Sequence, residues 1–305
     1  MNSGNIAATG ERAAAGISAA TAFNASSPIA IENSADISAI GTGAAGDGFG
    51  ISAYTGGPNS PISIVNSGDI TAVGIGDDAN GIQAETRAYL SQIAIENGAS
   101  ITASASGDAN GIFASAYGSF GGFSPVSIVN SGNVTAIAGN EARGIFAYSY
   151  YNDSPISIVN SGDVRASGVE SATGIDADTT QFYDRSSISI VNSGDIEATA
   201  IGAYSFATGI RAGTGRILGS GGEDSGVSIV NSGDILAAAN QAIGIAAESA
   251  SRRGSVSIVN SGDIRAYGSN GIARGISALA TRDASIAVVN SGDMTVTGTA
   301  TSFGI

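Results

Sequence analysis

The residues able to do chemistry in this chain belong to few types: 17 Asp, 9 Glu and 12 Arg, with no Lys, His, Cys or Trp. Without imidazole or thiol there is no Ser-His-Asp triad, thiol nucleophile, zinc finger or disulfide framework. Carboxylates are what remains. Asp176 and Asp178 stand two apart, which on a strand places both on one face about 7 Å from each other. That separation is compatible with inverting glycoside hydrolysis, in which one carboxyl protonates the leaving oxygen and the other activates a water. Asp77 and Asp78 form a second pair, in a Gly/Asp-rich connection. Such pairs arise by chance among so many Asp, and no basic residue is set into a carboxylate cluster as lyase chemistry would require. The chain is therefore read as carrying no catalytic residue, no cofactor and no dedicated metal site.

The second chemical resource is aromatic. Eleven of the 18 rings fall between one repeat unit and the next: Phe23, Tyr54, Tyr89, Tyr117, Phe120, Phe123, Tyr148, Tyr150, Tyr151, Phe182 and Tyr183. Phe113 and Phe146 join them from strand positions expected to point outward and to stack on adjacent coils. The side of the rod carrying Phe113, Tyr117, Phe120, Phe123, Phe146, Tyr148, Tyr150 and Tyr151 is the candidate binding face. Such rings either fold over the edge of their own coil or offer a surface to a host glycan or surface protein. Asp176 and Arg211, at the same position in the next two units, are expected to pair.

What must position these groups is a repeat. An Asn opening an NSG-like turn recurs at Asn2, Asn33, Asn66, Asn97, Asn130, Asn160, Asn192, Asn231, Asn260 and Asn290, with spacings of 29 to 39 residues. A Gly-Ile pair follows each one, its Gly 13 to 17 residues on. Within one unit, Ile62-Ser-Ile-Val-Asn-Ser-Gly-Asp-Ile-Thr-Ala72 alternates apolar and polar residues at period two around a Ser-Gly turn, and Gly81-Ile-Gln-Ala84 adds a third alternating piece. Alternation with β-branched residues marks strands, and no segment holds a 3.6 period. Three short strands cannot bury an apolar face alone, whereas stacking each on its equivalent in the next unit can. The expected fold is all-β: a right-handed parallel β-helix of about ten coils about 4.8 Å apart, with residues 1–305 forming one array.

Each column then has an expected role. Ile29 and Ile31, Ile62 and Ile64 and their equivalents point inward, as do the second-strand series from Ile37 to Met294 and the Ile and Ala of each Gly-Ile-x-Ala. Asn33, Asn66, Asn97, Asn130, Asn160, Asn192, Asn231, Asn260 and Asn290 should form an inward asparagine ladder. Three residues on, Asp36, Asp69, Asp163, Asp195, Asp234, Asp263 and Asp293 stack outward. Like charges at that spacing repel by about 0.9 kcal/mol per pair in water, so they must either accept turn N–H groups or hold Ca²⁺ loosely. The position before each Asn becomes a run of six valines from Val129 to Val289, read as packing or as a lateral contact with another rod.

A formal charge of -14 makes nucleic acid an unlikely partner. A hydrophobic fraction of 43% against 12% charged residues indicates a packed core rather than a disordered acidic chain. No apolar stretch reaches the roughly 18 residues of a membrane helix, and the opening MNSGNIAATGER lacks a signal-peptide layout.

The units SPISIVNSGDITA with NGIQA, and SPISIVNSGDVRASG with TGIDA, resemble the passenger repeats of type V secretion autotransporters. The resemblance spans essentially the whole chain. It implies export as an unfolded chain, folding outside the cell, and an adhesin-like role in adhesion, aggregation or biofilm formation at the bacterial cell surface, attached to the outer membrane. Absence of Cys agrees with threading through a pore. The resemblance also implies a C-terminal translocator barrel, whereas the chain stops at Ser-Phe-Gly-Ile305 within a coil, so the sequence is expected to be part of a longer protein. Partners expected on this reading are a host glycan or surface protein, or a second rod. The alternatives are a polysaccharide-active β-helix hydrolase or lyase and a structural spacer or filament subunit. Function is expected in the irregular segments 20–27, 115–124, 148–154, 179–187 and 213–226.

Overall fold

The computed structural model describes the chain except residues 22–25, 88, 118–122, 151–152, 180–184, 215–224, 252 and 282. Among the described residues every regular element is a strand, and the strands form three parallel sheets of ten, ten and nine. A representative turn runs Ile62–Asn66 on the first sheet, Ile70–Gly74 on the second and Ala79–Thr86 on the third. Each strand pairs with its equivalent one turn away, for example Ile62 with Ile93, Ile70 with Ile101 and Ile82 with Ile112. The molecule is a parallel β-solenoid of nine complete turns, preceded by the strands Ile6–Gly10 and Ala13–Thr21.

The interior separates by side-chain size. Ile62, Ile64, Ile70, Ile82 and Ala84 belong to one buried cluster that runs along the solenoid. Ala72 and Ala79, with Ala103, Ala109 and their successors, form a second, alanine-only cluster where the second sheet turns into the third. Small side chains there let the two sheets approach closely. Glycine before each third-strand isoleucine has a related cause. A Cβ on Gly144 would lie 2.2 Å from Val164 Cγ1 and 2.6 Å from the Gly174 carbonyl oxygen.

Third-sheet strands are longer than the four residues of Gly-Ile-x-Ala. Most hold eight or nine residues, as in Glu141–Ser149. Tyr54 and Tyr148 consequently lie on strands rather than in the connections where sequence spacing put them.

Two corners are pinned by polar ladders. Asn130 Nδ2 donates to Asn160 Oδ1 at 2.7 Å and Asn160 Nδ2 to Asn192 Oδ1 at 2.7 Å, while each amide also donates to the carbonyl two residues on, Gly132 and Gly162 in these turns. The same arrangement runs from Asn33 through Asn66, Asn97, Asn231 and Asn260 to Asn290. At the corner before the first sheet, buried serines do similar work: Ser60 N–H donates to Ser91 Oγ at 2.9 Å, Ser124 N–H to Ser154 Oγ at 2.9 Å and Ser154 N–H to Ser186 Oγ at 2.8 Å.

Candidate functional site

The outer face of the third sheet carries an aromatic cluster: Phe113, Phe146 and Tyr148 on its strands, with Tyr117 and Tyr150 just past the strand ends. Strand alternation after the buried Ile145 sends Phe146, Tyr148 and Tyr150 outward, and Phe113 pairs with Phe146 in register. Their rings form a continuous surface. Phe113 and Phe146 centroids are 5.4 Å apart and tilted by 60°, Tyr117 lies 5.3 Å from Tyr148 and 6.0 Å from Tyr150, and Tyr148 bridges to Phe146 at 6.4 Å and to Tyr150 at 6.2 Å. Tilted pairs at these separations are favourable for aromatic quadrupoles. Tyr117 is 39% exposed and stands at the open edge, and the other four are half-buried. Phe123 is exposed but makes no ring contact among the described residues, and Phe120 and Tyr151 lie outside them. Much of the irregular segments expected to carry function also falls outside the described residues.

An ionic chain borders this surface. Arg143 stands over the Phe146 ring at 4.9 Å, contacts Glu141 closely, and reaches Asp176 Oδ2 with Nε at 3.8 Å. Arg211 binds Asp176 Oδ2 through Nη1 at 3.2 Å and Asp178 Oδ2 through Nη2 at 3.5 Å. Basic residues do sit among carboxylates here, contrary to the expectation from sequence, because stacking brings together side chains from successive turns. Both carboxylates point outward from the strand, yet they are covered: Asp176 is 2% exposed and Asp178 8%. The pair thus lies beneath guanidinium groups and neighbouring side chains instead of flanking an open cleft. On the other border Arg87 pairs with Glu85 at 2.8 Å and lies 5.7 Å from the Tyr54 ring.

Sequence reasoning missed two polar groups under the aromatic surface. Asn110 Nδ2 donates to Asn80 Oδ1 at 2.8 Å, but Asn110 Oδ1 and Ser115 Oγ are buried without a hydrogen-bond partner among the described residues. A signal existed in the repeated Asp-Ala-Asn-Gly-Ile at 78–82 and 108–112. The same pentapeptide carries a short carboxylate ladder in which Asp78 Oδ1 accepts the Asp108 N–H at 2.8 Å. Burial raises the Asp78 carboxyl above its ordinary range; that backbone bond offsets part of the rise, and repulsion from Asp108 and Asp77 adds to it.

The longer Asp column follows the same pattern. Asp195 Oδ1 accepts the Asp234 N–H at 2.8 Å, and Asp234 Oδ1 accepts the Asp263 N–H at 2.9 Å. The donor is the next coil's amide, not the N–H of the residue's own turn. Arg265 lies beside the column at 3.2 Å from Asp263 Oδ2. Among the described residues no group of three or more acidic side chains is arranged to hold a metal ion.

Comparisons with family models, with curated proteins and with solved structures returned no match to this chain.

Proposed function

We propose that this solenoid is a non-catalytic, adhesin-like stalk at a bacterial cell surface, and that the aromatic face of its third sheet is the surface that binds a glycan. The observation that carries the reading is the unbroken run of Phe113, Phe146, Tyr117, Tyr148 and Tyr150. On a chain with 6% aromatic residues and a charge of -14, five rings in contact on one outer face are not needed to close the core. Rings set edge to edge offer an apolar platform to the C–H face of a pyranose, and phenolic O–H groups at the open edge can bond its hydroxyls. Arg143 adds donors beside the platform.

The stalk reading draws on the repeat units and their resemblance to autotransporter passengers. It also draws on the absence of Cys in a chain that would thread a pore. The non-catalytic reading rests on Asp176 and Asp178 being buried against Arg211, whose positive charge favours the ionised carboxylate over a proton-donating acid and whose side chain helps cover the pair from an incoming substrate. A glycan array paired with reducing-end and unsaturated-product assays tests the proposal. Retention on particular glycans without product is the expected result; turnover without retention would replace the adhesin reading by the enzymatic one.

A further inference from the structure

The outer face of the first sheet differs in kind from the rest of the surface. From the fourth turn onward its central column is Val129, Val159, Val191, Val230, Val259 and Val289, paired in register from strand to strand. Val159, Val191, Val230 and Val259 are each 41% exposed. Serine flanks the ridge on both sides, at Ser157 and Ser161, Ser189 and Ser193, Ser228 and Ser232. No charged residue occupies these columns in turns four to nine, although the chain holds 38 charged side chains, 26 acidic and 12 basic. Glu32 and Glu96 interrupt the valine column only in earlier turns.

We propose that this stripe pairs two copies of the chain side by side, with their axes parallel. Period is the first reason. A partner that covers every valine must present matching features about every 4.8 Å over six strands, and a second valine ridge with low serine grooves beside it does so. Charge is the second. The acidic column Asp163, Asp195, Asp234 and Asp263 runs along one edge of the stripe, while the opposite edge is uncharged at Pro155, Ser187, Gly226 and Ser255. A two-fold axis parallel to the rods sets each acidic column against the other copy's uncharged edge. Antiparallel pairing would bring the two acidic columns together along one edge, where stacked like charges repel.

Area sets the strength. Six strands by the ~13 Å from Ser157 to Ser161 give roughly 400 Å² on each rod, about half of the ~800 Å² per partner in a standard interface. Pairing is therefore weak and concentration-dependent, favoured where rods are anchored close together.

Sedimentation of the full chain over a concentration series tests this, alongside a Val159→Thr/Val191→Thr/Val230→Thr variant that keeps β-branching and therefore the strand. Self-association weakened about tenfold in that variant, at an unchanged denaturation midpoint, is expected from removing three apolar contacts. Because the chain has no Cys, Val159→Cys and Val259→Cys can each be cross-linked alone with a short bis-maleimide. Parallel pairing gives homodimers of both variants. A wild-type chain that stays monomeric, or association untouched by the Thr substitutions, overturns the proposal. Cross-links only between Val159→Cys and Val259→Cys chains would overturn the parallel arrangement.

Discussion

Asn160 illustrates how much one side chain carries. Its carboxamide accepts from Asn130 and donates both to Asn192 and to the Gly162 carbonyl, all away from water. Asn160→Ala leaves three buried polar groups without partners at about 1–3 kcal/mol each, so a loss of roughly 3 kcal/mol or more is expected in chemical denaturation. An unchanged midpoint would contradict the ladder. Asp78 provides a test in pH. Its carboxyl binds a proton more readily folded than unfolded, so the folded chain holds more protons in that window and loses stability as pH rises through it. Asp78→Asn keeps an acceptor for the Asp108 N–H and removes the charge. The variant should be more stable than wild type at neutral pH, with the difference closing as pH falls below the ordinary aspartate range; thermal melts at the two extremes show it. A gap that widened in acid would mean burial is not what governs Asp78.

Strand-level behaviour turns on close approach. At Gly144 a methyl group would strike Val164, whereas at Gly98 the nearest atoms to an added Cβ are 3.7 and 3.9 Å away. Gly144→Ala should destabilise by about 1–3 kcal/mol through overpacking and Gly98→Ala by no more than about 0.5 kcal/mol, measured as paired denaturation curves. Strands of the first two sheets were legible because identical alternation repeats in every unit, and inward Asn and Ile positions follow from a period of two. The serine ladder was not read, although Ser60, Ser124 and Ser154 each precede the first strand by two residues. Those serines close segments of unequal length, and Ser-Pro reads locally as turn punctuation, not as a buried hydrogen-bonding column. Third strands ran past Gly-Ile-x-Ala for a similar reason: their added residues differ between turns and are kept extended by pairing with the neighbouring coil. Of the aromatic face, Phe113 and Phe146 could be placed from spacing alone. Burial of Asp176, Asp178 and Ser115 on an outward face could not, since it depends on long side chains from adjacent turns closing over them.

The solenoid as a whole is nearly one-dimensional, each coil contacting only its neighbours. Deleting residues 160–191 joins Val159 to Asn192 and restores the asparagine and valine columns with one coil fewer, so cooperative unfolding and strand content per residue should survive. Deleting 160–174 removes half a coil and puts Ile175 where an asparagine is required, so it should break the stack at that point, lower strand content and split the single unfolding transition; circular dichroism through a denaturant series separates the two outcomes. The regular columns account for folding, and the third-sheet face departs from them by collecting aromatic rings and paired ions in turns three to six. Ser115 occupies in one turn the register position that Tyr148 holds in the next, so serine is compatible with that strand. Retention of wild type and of a Tyr117→Ser/Tyr148→Ser variant on the same glycan surface is therefore the most direct test of the binding face. The expected result is at least a tenfold loss of retention with the variant still folded; equal retention by the two proteins would contradict it.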